Sequence, residues 1–64
     1  MIKNSVHTRI RHIRESAGHS QAAMAEELGI GRTTYINFET GKTKLFSSVF
    51  SSFIKYFNLN ESDV

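Results

Sequence analysis

The sequence predicts an all-α fold, a compact bundle of four to five short helices. Two features carry that expectation. Apolar residues recur at three- to four-residue spacing in one segment after another, which is the period of a helix rather than the alternation of a strand. Gly18, Gly29, Gly31 and Gly41 follow or separate those segments, as glycine does where a helix stops. A third feature bounds the size. A chain of 64 residues with no cysteine and 39% hydrophobic composition makes one domain, residues 1–64, with a marginal core and no disulfide or cysteine-held zinc to support it. Helix packing, or a second subunit, has to supply the stability that a covalent staple would.

The first segment places Val6, Ile10, Ile13 and Ala17 on one stripe and turns Arg9, Arg11 and Arg14 elsewhere; Asn4 or Ser5 can cap its start and Gly18 its end. The second opens at Ser20, whose hydroxyl can accept from a free backbone N–H. It runs through QAAMAEEL to Gly29, with Met24, Ala25 and Leu28 as its inner face. The third runs from about Arg32 to Thr40, with Tyr35 and Phe38 inward, Gly31 at the cap position and Gly41 as a left-handed terminator. From Leu45 to Phe57, apolar residues at 46, 49, 50, 53, 54 and 57 keep helical spacing; phenylalanine, valine and tyrosine favour strands, but the period outranks the propensity. Asn60 then looks like the cap of a last turn, Glu61 to Val64, with two acids at its start.

Charge and motif content exclude several classes of function. Eight Lys+Arg against six Asp+Glu give a net charge of +2, with a pI near 9.3. No acid occurs between Thr40 and Asn60, a stretch that holds Lys42, Lys44 and Lys55, and such a positive pole suits an anionic partner. His7, His12 and His19 share no helical face at i, i+3 or i+4, so no metal site is expected. Paired carboxylates, a nucleophile elbow and a phosphate loop are all missing, which points to a protein that is not an enzyme and needs no cofactor. No apolar run of ~18 residues can span a bilayer, and MIKNSVHTRIRHIRE lacks the apolar centre of a signal peptide. The expectation is a cytoplasmic protein with no membrane partner.

The most specific pattern is SQAAMAEELGIGRTTYINFETGK, residues 20 to 42. It reads as a short helix, a turn containing glycine, and a second short helix, with small Ala25 where the two cross closely. That is the layout of a helix-turn-helix over about 21–40. So short a turn between steeply crossed helices needs a residue at positive φ, which glycine at 29 adopts freely, and Ile30 can plug the corner.

With its flanks included, the chain resembles the Cro and phage-repressor family of DNA-binding domains, also called the XRE family, over roughly residues 6 to 64. The resemblance rests on IRHIRESAGHSQ before the motif, on Gln21, Ala25, Gly29 and Ile30 within it, on Phe38-Glu39-Thr40-Gly41-Lys42, and on the closing FNLNESDV. It implies a lambda-repressor-like bundle whose second motif helix, residues 32 to 40, enters the major groove of double-stranded DNA. By resemblance, Gln21 anchors a phosphate, while Arg32, Thr33 and Asn37 match positions that reach base edges. Their chemistry suits that role: Arg grips guanine O6 and N7, Asn pairs with adenine, and the Thr methyl meets thymine. Ile36, also a candidate base contact, stands where a small polar residue is common; it can meet a thymine methyl, pack against another chain, or be a neutral exposure. Thr40, Lys42, Thr43 and Lys44 resemble the family's phosphate-contacting loop. The resemblance further makes Glu39 structural, paired with Arg9 or Arg14.

This sequence departs from the family pattern at two further places. Ala23 replaces the usual glutamate three residues after the cap, which removes the reciprocal capping box. Tyr35 stands where isoleucine or valine is usual, so the interior must accept a ring and find a partner for its hydroxyl. The implied function is a transcription regulator, a repressor rather than an activator, working as a homodimer on a palindromic operator with no small-molecule ligand. Leu59, Val64 and any exposed ring between Phe46 and Phe57 are the candidates for the dimer contact, with packing into the core as the stronger alternative for them. The rival reading is a protein-binding module, such as the antitoxin of a toxin–antitoxin pair or an adaptor.

Overall fold

In the computed structural model, residues 5–64 are described, and every regular element among them is helical. Helix α1 spans Val6–Ser16, α2 Gln21–Leu28, α3 Arg32–Thr40 and α4 Ser48–Tyr56, and a single 3-10 turn, Glu61–Asp63, closes the chain. The expected fifth element is therefore this one turn, in which the Asn60 N–H donates to Asp63 Oδ2 at 2.8 Å.

Local chemistry accounts for most of the boundaries. Ser5 caps α1, its Oγ accepting from the Thr8 N–H at 3.1 Å; Asn4, the other expected cap, lies outside the described residues. Ala17 is exposed and not on the buried stripe, because α1 ends at Ser16 and Gly18 then turns the chain at φ +80°. Ser20 Oγ accepts from the Ala23 N–H at 3.0 Å and so starts α2. Replacing Ser20 with alanine removes that acceptor and is expected to cost about 1 kcal/mol. In a domain of this size that is a fall of roughly 4–8 °C in the midpoint of a thermal melt. Gly29, at φ +71°, ends α2 in the left-handed region, and the Ile30 N–H donates to the Ala25 carbonyl at 3.0 Å across the corner.

The core comprises Ile10, Met24, Ala25, Tyr35, Phe38, Phe50, Phe53 and Val64. Phe38 lies at its centre, with ring centroids of Tyr35, Phe50 and Phe53 at 5.8, 6.4 and 6.0 Å. Helix α3 thus packs one side against α1, α2 and α4 together, which holds its other side in a fixed orientation. Tyr56 of α4 donates its hydroxyl proton to Glu27 Oε1 of α2 at 3.1 Å, tying those helices at the surface.

One expectation is corrected here, and for Leu59 and Val64 the core-packing alternative holds. Helix α4 begins at Ser48 rather than Leu45, and Phe46 is 72% exposed instead of joining the apolar stripe. Val64 is buried in the core, and Leu59 packs against it, so neither is an open surface for a second subunit.

Candidate nucleic-acid interface

Helix α3 has two unlike sides because of its spacing. Tyr35, Phe38 and Glu39 point inward, and Arg32, Ile36 and Thr40 form the stripe at i, i+4 and i+8 beside Thr33 and Asn37. Arg32, Thr33 and Thr40 are exposed, while Ile36 and Asn37 are half-buried. All five residues assigned to this helix therefore share one accessible side. Thr34 is exposed beside them and was not singled out by the resemblance. Gly41 closes α3 at φ +86°, and Lys42, Thr43 and Lys44 follow it, all exposed and outside any helix. Gly41 is constrained twice over, since a Cβ there would also lie 3.3 Å from the His7 ring.

A buried polar cluster holds this side in place. Glu39, 5% exposed, receives Arg14 Nε at 2.7 Å and Arg14 Nη2 at 3.2 Å, the Tyr35 hydroxyl at 2.6 Å and Gln21 Nε2 at 3.2 Å. Arg14, 7% exposed, also donates from Nη1 to the His19 carbonyl at 2.7 Å. Of the two arginines expected to pair with Glu39, the partner is Arg14, and the Tyr35 hydroxyl finds its acceptor in the same carboxylate. Helices α1, α2 and α3 meet at this one acid, which satisfies the requirement that a buried charge be paired and hydrogen-bonded.

Burial alone would raise the Glu39 carboxyl, but hydrogen bonds from Arg14, Tyr35 and Gln21 outweigh it and hold the group below the usual carboxylate range. Burial, followed by the bond to Glu39, pushes the Tyr35 phenol well above its ordinary value. A carboxyl depressed in the folded state means that the unfolded chain binds more protons in acid. The Glu39 contribution is then full above the ordinary carboxyl value of about 4.3 and is lost as pH falls through the folded value. Unfolding by urea at about pH 6 and about pH 3 is therefore expected to show a smaller loss of stability for the double variant Arg14→Met, Glu39→Leu, which strands no buried charge, than for the unmodified chain. An equal loss in both would remove Glu39 as a source of the acid sensitivity.

The hydrogen bonds also define what the assigned phosphate-binding groups have left to offer. Gln21 is half-buried, with one amide proton given to Glu39 and the other available at the start of α2, where free backbone N–H groups favour an anion. The Thr40 hydroxyl donates its only proton to the Ile36 carbonyl at 2.7 Å, so a phosphate contact requires exchanging that acceptor for another. A shallow cleft of about 260 Å³ lies next to Thr40, lined also by His7, Thr8, Arg11 and Glu39. Arg11 is exposed there and forms no ion pair among the described residues. Its i, i+4 spacing from His7 is the sequence signal that places the two side by side. Among the described residues no group of three or more His, Cys, Asp or Glu could hold a metal ion. None of the described helices is long and apolar enough to cross a membrane.

Helix α2, the three-residue turn and α3 reproduce the layout read from residues 20 to 42, and a family model described as "Helix-turn-helix domain" matches residues 8–64. The chain belongs to the helix-turn-helix domain family. That membership bears out the XRE/Cro-type resemblance read from the sequence. No curated protein and no solved structure matches the chain. In this helix-turn-helix domain α2 is the supporting helix, and α3 is the helix that members of the class place in the major groove.

Proposed function

We propose that the protein is a sequence-specific double-stranded DNA-binding transcription regulator, a repressor that binds a palindromic operator as a homodimer. The observation that carries this reading is the continuity of one accessible polar side of α3 with an exposed, acid-free loop carrying Lys42 and Lys44. In it Arg32, Thr33, Ile36 and Asn37 read base edges, the thymine methyl being the partner of Ile36. Gln21, Thr40, Lys42, Thr43 and Lys44 position the helix on the phosphate backbone. A net charge of +2 makes non-specific attraction weak, so binding energy has to come from base readout and from pairing two half-sites.

Selection of binding sites from a random duplex library at about 150 mM salt tests this reading, because attraction by charge alone fades there. The expected result is a consensus of two inverted half-sites about 10 base pairs apart. Failure to enrich any consensus at high protein concentration would overturn it in favour of a protein-binding module.

A further inference from the structure

Between α3 and α4 the chain places an aromatic ring in the open beside its basic loop. Leu45 packs inward against the core, and the Ser47 N–H donates to the Leu45 carbonyl at 2.9 Å, closing a tight turn with Phe46 at its apex. The ring projects from that apex at 72% exposure, more than any other large apolar side chain described. It lies edge-on to buried Phe50, with centroids 5.2 Å apart and planes at 89°. Burying the ring would be favourable, and it stands largely uncovered among the described residues.

Its surroundings indicate what does. Phe46 follows exposed Lys42, Thr43 and Lys44, and no carboxylate occurs between Glu39 and Glu61. A second copy seated on this patch about a two-fold axis would bring two sets of these lysines together, and the segment between Glu39 and Glu61 supplies no acid to offset them. A polyanion with apolar sugar faces between its charges matches both the lysines and the ring. We propose that Phe46 is a DNA-contacting residue that packs on the deoxyribose edge of the strand gripped by the Lys42–Lys44 loop. This deepens the function proposed above and rests on it. The lysines hold two points along the backbone by charge, and the ring seals the sugar surface between or beyond them, excluding water from the phosphate contacts.

The physical signature separates this role from a charge contact and from a subunit contact. Loss of an apolar contact leaves counterion release unaltered, so Phe46→Ala should weaken binding on the order of tenfold per half-site while leaving the slope of log K against log salt unchanged. Lys44→Ala should instead lower that slope by about 0.9 per half-site. Binding is measured on duplexes carrying one half-site and two, with circular dichroism melts to verify folding and Phe46→Leu as a second variant that keeps apolar packing on Phe50. The proposal predicts the same loss per half-site for Phe46→Ala on both duplexes, so that the two losses multiply on the paired site, with partial recovery in Phe46→Leu. A loss confined to paired half-sites, together with a shift from dimer to monomer in sedimentation, would overturn it and assign Phe46 to a contact between copies. Unchanged affinity on both duplexes would overturn it as well. Neither result touches the function itself, which fails only if the unmodified chain selects no site.

Discussion

Replacement of Arg14 with methionine is expected to destabilise the fold by about 3–5 kcal/mol, because it leaves the Glu39 carboxylate buried without its cationic partner. A domain of this length has a total stability of roughly 3–10 kcal/mol, so the variant should be partly or wholly unfolded at 25 °C. The Tyr35 and Gln21 donors remain, yet they are neutral, and the same change also frees the His19 carbonyl that Arg14 holds between α1 and α2. Urea unfolding followed by circular dichroism measures the effect. The double variant Arg14→Met, Glu39→Leu should regain much of the loss, because removing both charges avoids an uncompensated one. A single-variant cost under about 1 kcal/mol would mean that the pair is solvated in solution and does not brace α3.

Arg32→Ala should act on recognition and leave stability nearly unchanged. Arg32 is exposed at the first position of α3, and among the described residues it forms no ion pair, so its removal breaks no structural contact there. With a bidentate grip on a guanine worth about 1–3 kcal/mol, affinity should fall roughly 5- to 150-fold per half-site. Discrimination at one base position of each half-site should disappear. Competition binding against a set of single-base variants of the selected site reads both. If Arg32→Ala instead lowers affinity equally for every variant, the guanidinium lies on phosphate and base recognition rests with Thr33, Thr34, Ile36 and Asn37.

How much of this was legible beforehand depends on whether each feature is local. The starts of α1 and α2 at Ser5 and Ser20 and the left-handed stops at Gly29 and Gly41 are settled within one turn of chain, and each was readable from residue type and position. The spacing of Tyr35 and Phe38 likewise told which side of α3 is buried, and so which side carries Arg32, Thr33, Ile36, Asn37 and Thr40. Phe46 was misplaced because helical spacing from Phe46 to Phe57 holds only if the helix extends that far. A turn closed at Leu45 and Ser47 breaks the register before α4 begins.

By itself, then, the sequence determined a bundle of four to five helices, the left-handed stops of α2 and α3, the inner faces of those two helices and the family, because each follows from short-range periodicity, capping chemistry and a motif contained in one stretch of chain. Only the tertiary structure decided which arginine meets Glu39, that Gln21 and Tyr35 share that carboxylate, that Val64 joins the core, and that Phe46 stands clear of it. Apart from the Tyr35–Glu39 bond, four residues apart, and the turn that carries Phe46, those outcomes depend on where residues far apart in the chain come to lie. Glu39 is 25 residues from Arg14 and 18 from Gln21, and no local rule chooses among arginines on neighbouring turns of one helix. The choice is made by burial, which leaves a charged group in the interior only where several donors converge on it.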